Sequence, residues 1–537
     1  MAELAQPRPR SRHRLRAAVA GRSRGELVAW VALVAIALAL RLIDLGARPF
    51  HHDESQDAYF SWLFKETGDY AYNPLLHGPL RFYLTAANFV LFGDSDFTAR
   101  LAPALMGTLM VALLYGLRRQ LGRVAAFAAA AFLAVGPSYL YFSRFAREDI
   151  YIAAITLAML VVAFRFLDRP RHRHPAVFGA LLALSFATKE STFITVFVAG
   201  SFFVIAIAWQ SRAAGWRDGE IVRALRWPTW DDWAWGVVAA LGVYTLMFTT
   251  FLTHPSGIYG IWTGLDYWLH QHSVGRGGEP PGFYAVVLFG EEWPMLLLGA
   301  VGAFVAFRRP TLLRLFLVWS FVLSLAVYSW AGEKFAWLVL HPLLPLILLA
   351  GVGVQWIWES RREWYGKVAA GVAVVALAYT VYASFLVNAE HGADPRELLV
   401  STQSSTKVKD VADQVLALAA KRGQLKVTID SAEGATFPYA WYFRHLDVGY
   451  IDLSQAGSPP AQSDVILLTQ QSQQRLAPTL TGYDGREYAF RVWWVRDYGA
   501  MSAGNWARWM IERKPWNPTG GMPEWVYIRR VAATEAG

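Results

Sequence analysis

The chain has 537 residues, of which 55% are hydrophobic and 17% are charged, and it contains no cysteine. Soluble domains carry about a quarter charged residues, so the composition excludes an ordinary soluble protein and indicates a membrane protein with several spans. The lack of cysteine excludes disulfides and thiolate metal sites. The net charge of +9 does not indicate nucleic-acid binding, because the basic residues flank apolar segments, which is the pattern of membrane topology.

The N-terminal segment 1–26 is rich in arginine and precedes an apolar run that begins at Leu27. A basic segment before an apolar run is also the pattern of a cleaved signal peptide. This run is long, and it lacks an obvious cleavage site of small residues, which favours an uncleaved first span. We therefore predict a basic cytoplasmic N-terminus followed by the first membrane helix.

Apolar segments continue to residue 388 and predict eleven membrane spans. Two long apolar stretches must be divided, because a helix over 176–209 would be about 50 Å long, whereas a hydrocarbon core is about 30 Å thick. The polar sequences "TKES" (188–191) and "AGEK" (331–334) supply the turns. The predicted spans are 27–45, 99–117, 124–142, 149–167, 175–188, 191–209, 233–253, 283–307, 311–330, 335–352 and 368–388.

Residues 79–93 are apolar but short, begin at a proline and contain Arg81 and Asn88. They could form a span, but we predict a helix that lies at the membrane interface. With this choice the loops on one side hold 22 lysine and arginine residues, and those on the other side hold 8. The positive-inside rule then places the N-terminus in the cytoplasm and the C-terminus outside.

The composition changes after the last span and becomes typical of a soluble domain. Residues 406–423 predict an amphipathic helix with Thr406 as its N-cap. "QLKVTID" and "DVILLT" predict short buried strands, and "TFPYAWYFRHL" predicts another helix, so the segment is an α/β domain. The predicted domains are a cytoplasmic N-terminus (1–26), a transmembrane domain (27–389) whose first outer loop (46–98) holds juxtamembrane helices, and an extracytoplasmic α/β domain (390–537).

Acidic and basic residues collect in the loops that this topology places outside, whereas the inner turns carry mostly arginine. A charge at bilayer depth costs several kcal/mol unless it is paired or hydrated. Acids and bases at matching depths therefore predict one shared polar pocket. The outer residues are His51, His52, Asp53, Glu54, His77, Arg144, Arg147, Glu148, Asp149, Lys189, Glu190, His254, Glu333 and Lys334.

Each outer motif also has an ordinary structural interpretation. "HHDES" (51–55) could be a hydrated loop in which Asp53 or Glu54 caps a helix. Asp149 could cap the fourth span in the same way. The charged pairs of "TKES" and "AGEK" could simply keep two turns polar.

Other sequence signals are weaker. Glu291 and Glu292 lie within the predicted span 283–307, where acids indicate a functional site; if the span starts near Trp293, both lie at the interface. "HQH" (270–272) lacks a third fixed ligand, which favours a surface loop over a metal site. The chain has no glycine-rich phosphate loop ending in GK[ST], no HExxH motif and no G-x-S-x-G motif.

Several segments occur in a characteristic order along the chain. They are the acidic pair Asp53–Glu54, "HGPLRFYLTAANFVLFGDSDFTARLAPAL" (77–105), "SRFARED" (143–149), the "TK" turn (188–189), "QHSVGRGGEPPGFY" (271–284), "GEKFAWLVLHPLLPL" (332–346) and "FPYAWYFRHL" (437–446). In this order they resemble the GT-C membrane glycosyltransferases of the protein O-mannosyltransferase and aminoarabinose-transferase type. Segments 271–284 and 437–446 are similar to the prokaryotic flippase-activity-associated glycosyltransferase-like family.

The resemblance implies a multispan helical bundle with its active site on the extracytoplasmic face and a sugar donor carried on polyprenyl phosphate. It implies a catalytic role for the loop acid Asp53, with Glu54 beside it, and for Asp149 in the second outer loop. Lys189 and Lys334 match polar positions of later outer loops.

The expected reaction is the transfer of a hexose-type sugar to a hydroxyl with inversion, with Asp53 as general base. The acceptor is a protein, a lipid or a polysaccharide. Cations must stabilise the leaving phosphate, and a divalent metal is compatible with the site but not required. The candidate phosphate ligands are Arg147, Lys189, Lys334 and Arg81, which could replace a lysine that some relatives carry at the "HGP" step. The other pocket candidates are His51, His52, His77, Glu190, Glu292 and Glu333.

Two other classes of protein stay open at this point. A transporter or lipid flippase would use buried charges as a path, although transporters show repeats and sites at the bilayer midplane, which this sequence does not indicate. A non-catalytic subunit of a glycosylation complex would carry a degenerate site. The discriminating observation is whether Asp53, Asp149 and the cations surround one cavity that opens to the bilayer.

Overall fold

The computed structural model describes residues 24–530 except residues 216, 273, 459 and 461. It is mostly helical with a mixed sheet near the C-terminus, which confirms the predicted fold class. The predicted basic N-terminus, apart from residues 24–26, lies outside the described residues.

Helices form most of the chain up to residue 390, because a helix satisfies its own backbone hydrogen bonds in an apolar medium. They are α1 (Arg24–Leu42), α2 (His52–Thr67), α3 (Leu80–Phe92), α4 (Asp96–Leu113), α5 (Arg123–Val135), α6 (Pro137–Ser143), α7 (Asp149–Asp168), α8 (Arg173–Phe186), α9 (Thr192–Ala214), α10 (Glu220–Leu225), α11 (Trp230–Phe248), α12 (Gly260–His272), α13 (Phe283–Glu291), α14 (Trp293–Arg308), α15 (Leu312–Trp330), α16 (Leu340–Glu359) and α17 (Trp364–Phe385).

Among the described residues, seven helices are long and apolar enough to cross a membrane, or nine if each bent pair counts as one span. These nine correspond to nine of the eleven predicted spans. The other two, 175–188 and 233–253, appear as α8 and α11, which do not meet the same criteria. The two helices pack closely, since a Cβ on Gly179 would lie 2.2 Å from the Gly236 carbonyl oxygen. The total of eleven spans stays a prediction.

Two predicted spans are bent rather than straight. Span 124–142 is the pair α5 and α6, bent by 57°, and span 283–307 is the pair α13 and α14, bent by 98°. Pro137 and Pro294 each lie in the first turn of the second helix. Proline lacks a backbone N–H, so it begins a new helix more readily than it continues one.

The structure breaks the chain at both predicted turns, between α8 and α9 at "TKES" and between α15 and α16 at "AGEK". Residues 79–93 form the short apolar helix α3. Its place at the membrane interface stays a prediction.

The C-terminal segment is a six-stranded sheet with helices. Its strands are β1 (Gln403–Ser404), β2 (Lys426–Asp430), β3 (Asp447–Ile451), β4 (Val465–Thr469), β5 (Tyr483–Trp493) and β6 (Gly520–Arg529). Its helices are α18 (Thr406–Arg422), α19 (Tyr439–Tyr442), α20 (Gln470–Leu476) and α21 (Ala503–Glu512). The strand order is β1-β5-β6-β4-β2-β3, with β2 parallel to β3 and β4 and the other pairs antiparallel.

The predicted elements of this domain are present with two corrections. The strands within "QLKVTID" and "DVILLT" are β2 and β4, and α18 ends before Gly423 as predicted. The N-cap of α18 is Ser405 rather than Thr406, because the Ser405 hydroxyl accepts the Lys407 amide. The helix predicted over "TFPYAWYFRHL" is only one turn long, α19.

The C-terminal domain is attached to the chain just before α2. The Phe50 amide donates to the Tyr442 hydroxyl at 3.0 Å, and the Gln403 side chain donates to the Pro49 carbonyl at 3.0 Å. Lys409 donates to the Gly46 carbonyl at 2.8 Å. These bonds hold the start of α2 between the helical bundle and the sheet domain.

Candidate active site

The first turn of α2 holds the acidic pair that follows the first span. His51 is the N-cap, and its Nδ1 accepts the Asp53 amide at 3.0 Å. Burial and the charge of Arg147 lower the pKa of His51 to about 3. The ring is therefore neutral, and its Nε2 donates to the Ser401 carbonyl at 3.0 Å. Glu54 completes a capping box by accepting the His51 amide.

Glu54 is fully buried and faces away from the solvent. Arg100 donates to its two oxygens at 2.8 and 2.9 Å, Arg48 lies 3.3 Å away, and the Ala146 amide donates at 2.9 Å. Burial alone would raise the pKa of Glu54, but Arg100 and Arg48 lower it to about 2. Its carboxylate is enclosed by protein donors, which favours a positioning role, and the catalytic role predicted for Glu54 stays a prediction.

Glu54→Gln is expected to lower the free energy of unfolding by about 3–5 kcal/mol, because it leaves the buried Arg100 and the half-buried Arg48 without their carboxylate. Unfolding of the purified protein in detergent at neutral pH measures the loss. The folded-state pKa is depressed from 4.5 to about 2, so the stabilisation is complete above pH 4.5 and is lost as the pH falls towards 2. Glu66→Gln, at an exposed position of α2, is the control; an equal effect of both substitutions would contradict this role.

Asp53 projects from the same turn in a different direction. Its side chain is 30% exposed, and its carboxylate contacts the Arg147 guanidinium. Arg147 also donates to Glu148 at 2.9 Å and stacks over the Trp337 ring at 4.1 Å. Asp53 is thus an accessible carboxylate that an arginine from the second outer loop holds in place.

Glu148 joins four basic side chains from three outer loops. Lys189 lies 3.0 Å and Arg81 2.6 Å from its carboxylate, in addition to Arg147, and His77 lies 3.4 Å away. All of these residues come from the outer loops, which the topology places on one face. We call Glu148, its four basic partners and the other carboxylates that pair with them the acid–base network. The predicted convergence of the outer loops is therefore present in the structure.

Two further ion pairs of the acid–base network contain groups with shifted pKa values. Arg81 contacts the carboxylate of Asp57, and His77 lies 2.7 Å from Glu190. Burial raises the pKa of Asp57 well above its usual value, and the charge of Glu148 raises it further. Burial lowers the pKa of His77, but Glu190 and Glu148 outweigh it and leave that pKa raised.

Asp149 begins α7 and is buried beside Lys189, whose Nζ lies 2.9 Å from its Oδ1. His341, in the first turn of α16, lies 3.6 Å from the same oxygen. The His341 ring stacks on Tyr328 with centroids 4.6 Å apart. Asp149 thus connects the acid–base network to the outer ends of α15 and α16.

Lys334 differs from the other predicted cations. It is buried, and its Nζ donates to the Ala331 carbonyl at 2.5 Å. Within the described part of the chain, no carboxylate lies within ion-pair distance of Lys334. Its neighbour Glu333 pairs through its backbone with Arg276.

The structure places two predicted residues elsewhere. His52 turns towards the sheet domain, where Arg491 lies 2.9 Å from its Nδ1. Glu292 lies at the bend between α13 and α14 and accepts the Ser138 amide at 3.0 Å. The adjacent Glu291 binds Arg513 at 3.0 Å. The acids at this bend therefore hold the helices and the sheet domain together, away from the acid–base network.

Sequence reasoning missed Asp57 and His341. Asp57 follows Asp53 by four residues, so both lie on one face of a helix, and this spacing could have identified it. His341 lies within the quoted segment "GEKFAWLVLHPLLPL", but its approach to Asp149 depends on how α16 packs against α7.

An apolar groove of about 310 Å³ lies between α7, α9, α15 and α16. Its outer end is formed by Tyr328 and His341, and His341 contacts the network through Asp149. Deeper residues of the groove are Met159, Phe164, Phe203, Phe316, Leu344 and Leu348. Asp53, Asp149 and the cations are not among the described residues that line this groove, which His341 links to Asp149. The arrangement that would discriminate between the classes, with these residues around one cavity open to the bilayer, therefore stays a prediction.

A metal site is not evident from the protein groups alone. In the part of the chain that the structure describes, no set of three or more histidine, aspartate or glutamate side chains is arranged to hold a metal ion.

Comparisons with known proteins agree with this architecture. Residues 76–215 match the family described as dolichyl-phosphate-mannose-protein mannosyltransferase. The crystal structure of ArnT from Cupriavidus metallidurans bound to undecaprenyl phosphate superposes with a TM-score of 0.61 at 17% identity, over 94% of this chain and 98% of that chain. No curated protein sequence matches the chain.

Two further solved structures share the fold. The archaeal oligosaccharyltransferase AglB from Archaeoglobus fulgidus, in complex with an inhibitory peptide and a dolichol-phosphate, has a TM-score of 0.54 at 11% identity, over 87% of this chain and 73% of that chain. The arabinofuranosyltransferase AftD from Mycobacteria has a TM-score of 0.51 at 14% identity, over 93% of this chain and 40% of that chain.

The fold is that of the GT-C membrane glycosyltransferases, and the apolar helices indicate an integral membrane protein. The match of residues 76–215 to the mannosyltransferase family and the fold shared with ArnT agree with the resemblance of the segments to the protein O-mannosyltransferase and aminoarabinose-transferase type. The narrower likeness to the flippase-activity-associated family stays a prediction.

Proposed function

We propose that this chain transfers a sugar from a polyprenyl-phosphate donor to an acceptor hydroxyl on the extracytoplasmic face, with inversion and with Asp53 as general base. The observation that carries the proposal is that the acid–base network meets the outer end of an apolar groove between membrane helices. A donor with an isoprenoid chain and a phosphate head has the same division into an apolar and a charged part.

In this proposal the groove accommodates the isoprenoid chain, and cations of the outer loops bind the phosphate. Lys334 is the best candidate for this contact, because within the described residues it has no carboxylate partner. Arg147 is the second candidate. It also contacts Glu148, but its partner Asp53 is 30% exposed, whereas both carboxylate partners of Arg81 and of Lys189 are buried. Undecaprenyl phosphate bound to ArnT and dolichol-phosphate bound to AglB, both of the same fold, support a lipid-phosphate donor.

The remaining members of the network position these groups. Arg81 is buried between Asp57 and Glu148, so its guanidinium is already occupied by two carboxylates. Lys189 is held in the same way by Glu148 and Asp149. We therefore assign Arg81, Lys189 and Asp149 a positioning role rather than the direct roles that the sequence suggested.

In the reaction, the acceptor hydroxyl gives its proton to the Asp53 carboxylate as its oxygen attacks the anomeric carbon. The bond between that carbon and the phosphate oxygen breaks, and its electron pair leaves with the polyprenyl phosphate. Lys334 and Arg147 stabilise the negative charge that develops on this leaving group. A single displacement of this kind inverts the anomeric configuration.

The charge distribution of the loops supports the orientation of this site. With the N-terminus in the cytoplasm, the turns that carry Asp53, Arg147, Lys189 and Lys334 face outwards, as does the sheet domain. The active site then lies where a lipid-linked sugar, rather than a nucleotide sugar, is the available donor.

The direct test uses the purified full-length protein in lipid nanodiscs with lipid-linked sugars and acceptors extracted from cell envelopes. The proposal expects free polyprenyl phosphate to appear as lipid-linked sugar is consumed, and the anomeric carbon of the product to have the opposite configuration to that of the donor. Retention of the donor configuration, or no consumption of any lipid-linked sugar, would refute it.

The groove gives a second prediction. Gly200 lines it on α9, and a Cβ there would meet nothing within 4 Å. Gly200→Trp is therefore expected to weaken binding of undecaprenyl phosphate without unfolding the protein, measured as a smaller rise of the melting temperature on adding the lipid. Gly242→Trp is the matched control, because Gly242 also lies in a helix with open space and does not line the groove. Equal lipid responses of the two variants would exclude the groove as the carrier site.

A further inference from the structure

A pocket of about 440 Å³ lies between the loop before α13 and the end of β5. Pockets of this size bind small molecules or single units of larger ones. Its walls are Glu279 and the neighbouring glycines, the chain around Ser401, and the segment from Trp493 to Tyr498. The reaction proposed above requires an acceptor, and none of its steps uses this pocket.

The pocket lies close to the proposed general base. Its wall residue Ser401 accepts the Nε2–H of His51, while the other ring nitrogen of His51 accepts the amide of Asp53. One imidazole ring therefore separates the pocket from the turn that carries Asp53. On the opposite side, Gly277 packs on the Lys334 carbonyl so closely that a Cβ would lie 2.2 Å from it.

The polar groups of the pocket match hydroxyl groups. Glu279 binds Arg496 at 2.5 Å and also accepts from the Tyr498 hydroxyl, yet a carboxylate has about four acceptor positions. The Arg496 side chain is 95% buried and fixes the Glu279 carboxylate in the pocket wall. The acceptor positions of Glu279 that Arg496 and Tyr498 leave open can take ligand hydroxyls.

The apolar wall matches a sugar ring rather than an extended peptide. Trp493 and Trp494 both line the pocket, and indole rings offer flat apolar faces beside polar groups. A peptide strand would need a free backbone edge. Both edges of β5 are occupied here, because Val492 pairs with Gln403 and Trp493 pairs with Gly520.

We propose that this pocket binds a sugar unit of the acceptor, so that the chain adds its sugar to an existing glycan. Glu279, held in place by Arg496, accepts from hydroxyls of the ring, and Trp493 packs on its apolar face. The inference rests on the proposed function, since it names the acceptor class of the same site.

The test measures retention of the purified full-length protein on an array of envelope oligosaccharides, with serine- and threonine-containing peptides as a second arm. Wild-type protein is expected to bind oligosaccharides, and Trp493→Ala and Glu279→Gln are expected to reduce this binding about tenfold or more. The controls are Trp262→Ala and Glu487→Gln, at exposed positions outside the pocket, which are expected to bind normally. All four variants should keep the rise of melting temperature with undecaprenyl phosphate.

Normal binding by both pocket variants, binding of peptides alone, or no binding of any oligosaccharide by the wild type would each overturn the inference. Asp53→Asn separates it from the proposed function. That variant is expected to bind oligosaccharides normally while transferring no sugar. Loss of transfer in Asp53→Asn together with full transfer by Trp493→Ala and Glu279→Gln would support the base and reject the pocket.

Discussion

Asp53→Asn is expected to lower the rate of sugar transfer about 10²–10⁴-fold, the contribution typical of a positioned general base. Asparagine has nearly the same shape as aspartate but cannot take the proton of the acceptor hydroxyl. The side chain is partly exposed, and among the described residues its ion pairs are with Arg147 and His51, so the fold should survive. Transfer by purified protein in nanodiscs measures the rate, and the melting temperature with undecaprenyl phosphate measures carrier binding.

The matched control is Asp69→Asn, an exposed acid in the same outer loop that pairs with His254. It is expected to transfer sugar at the wild-type rate. An Asp53→Asn enzyme that is fully active would show that another group takes the proton.

Lys334→Met is expected to lower the transfer rate about 10²–10³-fold, the usual cost of losing one group that stabilises a developing negative charge. Methionine keeps much of the buried volume of the side chain but removes its charge. Because Lys334 makes no ion pair with the described residues, its loss leaves no carboxylate unpaired. The effect should therefore appear in catalysis and in the affinity for undecaprenyl phosphate rather than in stability.

Lys407→Met is the control for this substitution, because Lys407 is exposed on α18 and, within the described residues, forms its ion pair with the exposed Asp410. It should leave both catalysis and carrier affinity unchanged. If Lys334→Met instead unfolds the protein, Lys334→Gln provides the same loss of charge with a polar side chain. Wild-type transfer by a folded Lys334 variant would remove this lysine from the phosphate site.

The helical bundle and most turns could be predicted from the sequence, because apolar length and the distribution of arginine are strong local signals. "TKES" was identified as a turn from length alone, and the structure agrees. The bends at Pro137 and Pro294 were not predicted, since both runs remain apolar across the break. An apolar sequence indicates that a segment is buried or lies in the membrane, but it does not indicate the angle between two consecutive helices.

The convergence of the outer loops could also be predicted, but the partners within the network could not. Asp53 and Glu54 are neighbours in sequence, yet successive residues point about 100° apart around a helix with 3.6 residues per turn. Glu54 therefore faces Arg100 in the interior, whereas Asp53 faces Arg147 and the solvent. Which of the two is accessible depends on how α2 is rotated about its axis. Contacts with the sheet domain, which is distant in sequence, fix this rotation.

The central claim is that the outer network transfers a sugar and that Asp53 takes the proton. Mass spectrometry of envelope glycans and glycoproteins tests it most directly, in cells whose only copy of the protein is wild type or Asp53→Asn. The account predicts that one sugar disappears from its acceptor in the variant while the lipid-linked form of that sugar accumulates. Identical glycans and lipid-linked sugars in the two strains, with equal amounts of folded protein, would contradict it.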